Sequence, residues 1–358
     1  MFIANVRSTL LVACLCLLAA AAAHAQGRGE LWVGNKRADT AWRIDLDTGR
    51  KLGQVDTAAA PHEIAVSPDE RWIVVTTYGH DSPGNALTVI DATNQATRAI
   101  GLGSHTRPHG ARFLPDGQLL VTAEGDGSLL RVDVETGTVA QAIPVGMGTG
   151  HMVAVAADGR TAYVSKIAAG TVSRIDLASG RKTAEVSAGK GAEGIGVARD
   201  GSVWVTNRAD DTVTVHDPDT LSIRATLASA GFPIRLAFSA DGQHALVTNA
   251  TAATLSVFDV ATRERVATVP LAPPDVVAGE TMLGKGALPI GIAVHPDGER
   301  VYVAISGMNR IAVIRTGAWR VTGYWATGAE PDALGIVGAR HAAAPAMPSA
   351  ERAADTPR

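Results

Sequence analysis

The stretch HGARFLPDGQLLVTAEGDGSLLRVDVETG, from His109 to Gly137, contains the phrase that decides the fold. It reads as an apolar strand, an Asp-Gly turn, a second strand centred on Val121, a polar loop, and a third strand that ends at Asp133 before a Thr-Gly turn. Short runs rich in Val, Ile and Thr between Gly, Asp and Pro turns are typical of β-strands. With the fourth strand that follows, the phrase predicts one antiparallel four-stranded unit.

The same phrase recurs along the chain with a period of about 40–45 residues. Six first strands begin at residues 62, 109, 151, 193, 234 and 290, and seven second strands are centred on Val33, Val75, Val121, Val164, Val205, Val247 and Val303. Four short strands per period are the pattern of a β-propeller. We therefore predict an all-β fold, a β-propeller of seven blades with four antiparallel strands in each blade.

The two ends of the repeat complement each other. The first copy begins with a second strand at Glu30, whereas residues 332–337 match a first strand and have nothing periodic after them. We expect the C-terminal strand 332–337 to complete the first blade beside Leu31–Asn35, because closing the ring removes two exposed sheet edges. The propeller is then predicted over residues 26–338, followed by a disordered tail at 339–358 that is rich in Ala and Pro.

Residues 1–25 have the pattern of a secretory signal peptide. An apolar run follows Arg7 and ends in an A-x-A cleavage site at residues 23–25. Because the run is short for a membrane span, we expect cleavage, export to the periplasm and no membrane span in the mature chain. The only cysteines, Cys14 and Cys16, lie in this leader. The mature chain is therefore predicted to form no disulfide and no cysteine metal site.

Composition limits the possible partners. The net charge is −3, aromatic residues make up 4% of the chain, and no basic run is present, which argues against nucleic-acid binding. The Gly-x-Gly pieces lie in predicted β-turns without a following helix, so they do not indicate a nucleotide site. A small molecule or a protein is the expected partner of a chain that we predict to be a monomer.

The repeat phrase resembles that of the YVTN-repeat β-propellers. It is seen here as Pro108-His109-Gly110, Pro296-Asp297-Gly298, Val205-Thr206-Asn207 and Thr254-Leu255-Ser256-Val257-Phe258-Asp259. The resemblance covers residues 30–337 and implies the propeller fold. It also implies a relationship to lactonase-type propellers, to haem d1-binding propeller domains and to periplasmic binding proteins, one of which holds single-stranded DNA. Such propellers host unrelated activities, so the resemblance indicates fold more than function.

The starts of the seven first strands are equivalent positions at one end of the central channel. They are occupied by His62, His109, His151, Glu193, Ile234, Ile290 and Asp332. Neutral imidazoles and carboxylates are suitable ligands for Zn²⁺ or a similar divalent ion, so the three histidines and Glu193 are a candidate metal set. The alternative, which stays open, is that the histidine of Pro-His-Gly shapes a turn and lines a water-filled channel.

Other residues are expected on the same face and extend the candidate ligand-binding set. Arg235 follows the equivalent position in its blade, and His80, Lys166 and Arg208 come from loops after second strands. Such a mixture of cations, imidazoles and carboxylates suits an anionic or sugar-like ligand, although solvated surface residues would look the same. An insertion at residues 273–288 is also expected there, as a lid, a partner contact or tolerated length variation.

Three functional hypotheses follow from the sequence. The leading one is a periplasmic propeller that binds a ligand or a partner protein at the channel mouth without catalysis, because the scaffold is complete and no catalytic motif is. The alternative is a metal-assisted, lactonase-like hydrolase or lyase that uses the histidines. Haem d1 or single-stranded DNA binding is a further alternative that the resemblance implies.

Overall fold

The structure is a computed structural model that describes residues 29–339. The predicted leader at 1–25 and residues 340–358 of the predicted tail lie outside the described residues. In chain order the elements are β1 Glu30–Asn35, β2 Thr40–Asp45, β3 Lys51–Asp56, β4 Pro61–Val66, β5 Trp72–Thr77, β6 Ala86–Asp91, β7 Thr97–Gly101, β8 Pro108–Phe113, β9 Leu119–Ala123, β10 Ser128–Asp133, β11 Thr138–Pro144, β12 Gly150–Val155, β13 Thr161–Lys166, β14 Thr171–Asp176, β15 Arg181–Ser187, β16 Ala192–Val197, β17 Val203–Asn207, β18 Thr212–His216, β19 Ile223–Ala228, β20 Pro233–Phe238, β21 His244–Asn249, β22 Thr254–Asp259, β23 Arg265–Pro270, β24 Glu280–Thr281, β25 Gly284–Lys285, β26 Pro289–Val294, β27 Arg300–Ile305, a 3₁₀ turn Ser306–Met308, β28 Arg310–Arg315, β29 Arg320–Ala326 and β30 Pro331–Val337.

Seven antiparallel sheets of four strands form the blades of a propeller. Blade 1 consists of β30 and β1–β3, and blades 2 to 7 consist of β4–β7, β8–β11, β12–β15, β16–β19, β20–β23 and β26–β29. The innermost strands of neighbouring blades pack in a closed ring, in the order β30, β4, β8, β12, β16, β20 and β26. The predicted seven-bladed fold is therefore confirmed. Within the described part of the chain, no helix is long and apolar enough to cross a membrane.

Strand β30 completes blade 1 as predicted. It runs antiparallel to β1, with Val33 opposite Leu334. The strand predicted at 332–337 is observed at Pro331–Val337, one residue longer at its start. Because β1 is paired on both sides, by β2 and by β30, β1 has no free edge and the two ends of the propeller are joined in one blade.

A hydroxyl near the end of the second strand joins each of blades 3 to 7 to the next blade. The Oγ1 atom of Thr122 accepts the N–H of Gly110 in its own blade at 2.8 Å and donates to the carbonyl oxygen of His151 in blade 4 at 2.6 Å. The other hydroxyls that donate to a carbonyl of the next blade are those of Ser165 to Glu193, Thr206 to Ile234, Thr248 to Ile290 and Ser306 to Pro331. These contacts set the spacing of the innermost strands where they begin.

Glycine follows the start of the innermost strand in several blades because a backbone carbonyl of the next blade passes there. A Cβ atom on Gly110 would lie 2.6 Å from the carbonyl oxygen of His151. On Gly291 it would lie 1.7 Å from the carbonyl oxygen of Asp332. Only a residue without a Cβ atom permits such an approach.

The hydrophobic core lies between the blades. Leu120 and Leu129 of blade 3 pack in one cluster with Val153 and Val164 of blade 4. Successive side chains of a strand point to opposite faces of its sheet, so each blade can contact both of its neighbours. The core is therefore divided into layers that surround the central channel.

The insertion at residues 273–288 contains a short hairpin of β24 and β25. Arg37 donates to the carbonyl oxygen of Glu280 at 2.7 Å, and the carboxylate of Glu330 accepts the N–H of Met282 at 3.0 Å. Arg37 follows β1 and Glu330 precedes β30, so the insertion packs against blade 1 on the face where the innermost strands begin.

Candidate functional site

The starts of the innermost strands meet at one end of the central channel. We call the seven equivalent positions the rim; they are occupied by His62, His109, His151, Glu193, Ile234, Ile290 and Asp332, and all seven are buried. Since buried histidines and carboxylates are costly unless they find polar partners, the contacts of each one indicate what the rim can do.

Four aromatic rings contact one another in a row along one side of the rim, and we call this row the stack, although His62 and His109 meet edge to face. The ring of Tyr78 lies 4.5 Å from that of His62 between centroids, and the ring of His62 lies 5.0 Å from that of His109. The rings of His109 and His151 are closest, at 3.6 Å. Because the three histidines come from adjacent innermost strands, a charge on one ring acts directly on the next.

His62 and His109 are the neutral members of this stack. Nδ1 of His62 lies 3.1 Å from the carbonyl oxygen of Ala60, which only accepts, so Nδ1 carries the proton and Nε2 keeps a lone pair. Burial, assisted by the charge of Lys36, lowers the pKa of His62 to about 3. Burial and the neighbouring His151 lower the pKa of His109 well below its ordinary value. Nδ1 of His109 is buried and has no hydrogen-bond partner among the described residues.

His151 differs from its neighbours because a carboxylate lies at each of its ring nitrogens. Nδ1 contacts Glu124, and Nε2 lies 3.2 Å from Oε1 of Glu193. Burial alone would lower the pKa of His151, but the charge of Glu193 and the hydrogen bonds with both carboxylates raise it above its ordinary value. The hydroxyl of Tyr78 donates to the other oxygen of Glu124 at 2.7 Å, which fixes that carboxylate. His151 is therefore the protonated member of the stack.

Arg235 connects two carboxylates across the channel mouth. Its Nη1 lies 2.8 Å from Oε1 of Glu193, and its Nη2 lies 2.8 Å from Oε1 of Glu63. Arg208 donates to the second oxygen of Glu193 at 2.5 Å. Burial opposes ionisation of Glu193, yet His151 and Arg235 lower its pKa to about 2. Glu193 is consequently a fixed negative charge between an imidazolium and two guanidinium groups.

Lys36 and Asp332 form a buried ion pair in blade 1, next to His62. The ammonium group contacts Oδ2 of Asp332. Burial opposes ionisation, but the charges of Lys36 and Arg235 lower the pKa of Asp332 below its ordinary value. Oδ1 of Asp332 is buried and has no hydrogen-bond partner among residues 29–339. This oxygen and Nδ1 of His109 are the two buried polar atoms of the rim residues that lack a hydrogen-bond partner among the described residues.

We call this set of buried and partly buried polar groups the mouth cluster: Lys36, His62, Glu63, Tyr78, His109, Glu124, His151, Glu193, Arg208, Arg235 and Asp332. The sequence predicted three histidines and Glu193 as metal ligands. The structure brings ligand atoms of two of these histidines, His109 and His151, and of Glu124 within 4.8 Å of one another. A cation at that point would compete with the contact between His151 and Glu124, so it would replace the proton that this contact holds on the imidazole.

Two of the predicted ligand-binding residues lie outside the mouth cluster. His80 is exposed, and its Nε2 lies 2.9 Å from Oδ1 of Asp39. Lys166 is buried, but its ammonium group lies 2.6 Å from Oε1 of Glu185 and 3.1 Å from the carbonyl oxygen of Val145. Because Glu185 is on β15, two strands further from the channel, Lys166 is held away from the rim.

Sequence reasoning missed Glu63. It stands one residue beyond the rim position of blade 2, and Arg235 stands at the same point in blade 6. The two side chains pair across the mouth. The available signal was a charged residue at the same place in two otherwise apolar innermost strands, since strands buried on both faces are usually apolar throughout.

Comparison with known proteins agrees with this architecture. A solved structure of a functionally unknown protein from Desulfotomaculum acetoxidans superposes with a TM-score of 0.71 at 16% sequence identity, covering 86% of this chain and 99% of that chain. At that identity the likeness concerns the fold alone. No curated protein matches the chain. The family model described as lactonase, 7-bladed β-propeller, matches residues 33–266, which is more than half of the chain. The chain therefore belongs to the lactonase family of seven-bladed β-propellers.

Proposed function

We propose that the protein opens a lactone ring by hydrolysis at the mouth cluster. The observation that carries the proposal is the unequal pairing of two stacked imidazoles. His151 has a carboxylate at each ring nitrogen, whereas Nδ1 of His109, in the adjacent ring, has no partner among the described residues. Two neighbouring groups in such different surroundings can supply a base and an acid at the same pH. Membership of the lactonase family supports a lactone as the substrate.

In the proposed reaction a water molecule attacks the carbonyl carbon of the lactone. The proton of this water passes to the unprotonated ring nitrogen of His109, and His151 gives its own proton to the ring oxygen as the C–O bond breaks. Nε2 of His151 is the nitrogen that does so, because its 3.2 Å contact with Glu193 is long enough to be exchanged for a substrate oxygen. Lactone and water yield a hydroxy acid, and solvent returns the proton from His109 to His151.

Glu193 and Arg235 act as positioning residues for this acid. Glu193 stabilises the imidazolium of His151, and Arg235 holds Glu193 in place while its other nitrogens contact Glu63. His151 comes from blade 4, Arg235 from blade 6 and Glu63 from blade 2. The general acid, the imidazolium of His151, is thus oriented by residues from several blades. Charges that are held in place before the reaction begins stabilise a transition state most effectively.

The test is turnover of γ- and δ-lactones by the purified protein, followed as acid release at constant pH. His109→Gln and His151→Gln should each reduce kcat at least about 100-fold, the usual contribution of a general acid or base. The matched control is His105→Asn. His105 is paired with Asp126 on the same face at 2.8 Å, outside the mouth cluster, and its loss should leave turnover unchanged. Binding of lactones without any turnover would refute hydrolysis and leave a binding protein.

Metal dependence separates this chemistry from the metal-assisted alternative. Dialysis against EDTA should leave lactone turnover unchanged, because the proposed base and acid are both imidazoles. Loss of turnover with EDTA and its return with Zn²⁺ would overturn the proposal. The cation would then lie among His109, Glu124 and His151, and the effect of His109→Gln would appear as a loss of bound zinc.

We also propose that the leader at residues 1–25 directs the chain to the periplasm. Its support is the apolar run that ends in an A-x-A site. N-terminal sequencing of the protein recovered from a periplasmic extract should begin at Gln26. Recovery of the chain in the cytoplasm with Met1 intact would contradict this.

A further inference from the structure

Three side chains of the mouth cluster provide the donor atoms of an open zinc site, two imidazoles and one carboxylate. Ligand atoms of His109, Glu124 and His151 lie within 4.8 Å of one another. Zinc binds nitrogen and oxygen at about 2.0–2.2 Å, so two ligand atoms of a tetrahedral ion are about 3.4 Å apart. The side chains therefore have to approach one another by no more than about 1.4 Å to share an ion.

All three side chains are withdrawn from solvent. His109 is 2% exposed, and the side chains of His151 and Glu124 are 8% and 6% exposed. Nδ1 of His109 has no hydrogen-bond partner among the described residues. When the proton of this neutral ring is on Nε2, the lone pair of Nδ1 is unused, and an ion can take it without breaking a protein contact. A buried nitrogen without a partner points to a ligand that the described residues do not supply.

The neighbours of these side chains are those that orient the ligands of a metal ion. An ion between Oε1 of Glu124 and Nδ1 of His151 leaves the N–H of Nε2, which lies 3.2 Å from Oε1 of Glu193. A ligating histidine almost always donates its other N–H to a carboxylate or a carbonyl in this way. The hydroxyl of Tyr78 donates to Oε2 of Glu124 at 2.7 Å, which leaves Oε1 for the ion. Both orienting partners are therefore in place.

We propose that His109, Glu124 and His151 form a zinc site and that a bound Zn²⁺ inhibits the protein. The inhibition rests on the proposed hydrolysis, whereas the binding of the ion does not. The ion takes the lone pair with which His109 accepts the proton of water. An imidazole that binds an ion through Nδ1 is also no longer the imidazolium that gives a proton to the lactone. A filled zinc site and lactone turnover therefore exclude each other.

Binding is tested by isothermal titration of the chain, purified without a histidine tag and freed of metal, with zinc chloride. One ion should bind per chain, and zinc should raise the melting temperature. At one equivalent of zinc, the imidazole NMR signals of His109 and His151 should shift, whereas those of the exposed His80 should not. No saturable binding, or shifts confined to histidines outside the mouth cluster, would overturn the proposal without requiring any variant.

Variants identify the ligands. Glu124→Gln keeps the size of the side chain and removes its charge, so zinc affinity should fall by more than the roughly 10- to 100-fold that loss of an orienting partner causes. Tyr78→Phe removes only the hydrogen bond to Glu124, and its loss should lie within that range. The matched control is Asp126→Asn, which alters the pair with His105 on the same face and should leave zinc affinity unchanged. If Glu124→Gln binds zinc as tightly as the unaltered protein, the ion lies elsewhere and the assignment is wrong.

The effect of zinc on lactone turnover separates inhibition from metal-assisted catalysis. At a free zinc concentration about ten times Kd, about nine-tenths of the chains hold an ion, so the rate should fall about tenfold and return with EDTA. A rate that rises with zinc, or that stays the same while the site is filled, would overturn the proposal. If the protein turns over no lactone with or without zinc, the proposed hydrolysis and the inhibition both fail, and the titration alone decides whether the ion binds.

Discussion

Replacing Thr122 with valine removes the hydroxyl that joins blade 3 to blade 4 and keeps the volume of the side chain nearly unchanged. The residue is fully buried. Its hydroxyl accepts from the N–H of Gly110 and donates to the carbonyl oxygen of His151. Thr122→Val leaves both backbone groups without this partner in a site that water does not reach. At about 1–3 kcal/mol for each unsatisfied group, the expected loss in unfolding free energy is about 2–6 kcal/mol.

The comparison that isolates the hydroxyl is Thr122→Ser. Serine keeps the hydroxyl and removes one methyl group, which costs about 1 kcal/mol in transfer free energy. Urea unfolding followed by tryptophan fluorescence gives the midpoint and slope for both variants and for the unaltered protein. We expect Thr122→Val to be the less stable variant. If Thr122→Ser is the less stable one, apolar packing dominates at this position and the proposed role of the hydroxyl between blades is wrong.

Three further outcomes test the mouth cluster and the closure of the ring. Glu193→Gln should lower the unfolding free energy by about 3–5 kcal/mol, because His151 and Arg235 then lose the carboxylate that they share. NMR titration of the same variant should show a lower pKa for His151. The pKa of Glu193 is lowered from 4.5 to about 2, so the stabilisation by its negative charge is complete above about pH 4.5 and is lost as the pH falls towards 2. The difference in unfolding free energy between the unaltered protein and Glu193→Gln should therefore narrow over that pH range. A difference that stays constant would contradict the assignment. Gly291→Ala places a Cβ atom 1.7 Å from the carbonyl oxygen of Asp332, so it should lower the unfolding free energy by more than about 1–3 kcal/mol in urea. The control is Gly323→Ala, which should not destabilise the fold in this way because no heavy atom lies within 4 Å of the added Cβ atom.

The number of blades and the closure of the ring could be predicted from the sequence because both depend on backbone spacing. Valines at regular intervals mark the second strands, and an unpaired strand at each end indicates how the ring closes. Equivalent positions in the repeat also become equivalent positions in space. For this reason His62, His109 and His151 were identified as neighbours without coordinates.

The partners of individual side chains could not be predicted in the same way. Lys166 ends a second strand, as Asn207 does, but the repeat gives no information about Glu185, whose carboxylate holds its ammonium group. Glu63 was overlooked because its partner Arg235 is 172 positions away in the chain. Contacts across the channel join blades that are far apart in sequence, and a local pattern does not specify them.

Strand β30 has a consequence for the order in which the protein can be assembled. Blades 2 to 7 each consist of consecutive residues and can form as soon as those residues have been synthesised. Blade 1 requires Pro331–Val337, so β1 remains an open edge until almost the whole polypeptide has been made. A chain that ends between residues 327 and 330 therefore has six complete sheets and leaves β1 without its partner β30, so that the free side of β1 is open to proteases and to pairing with other chains.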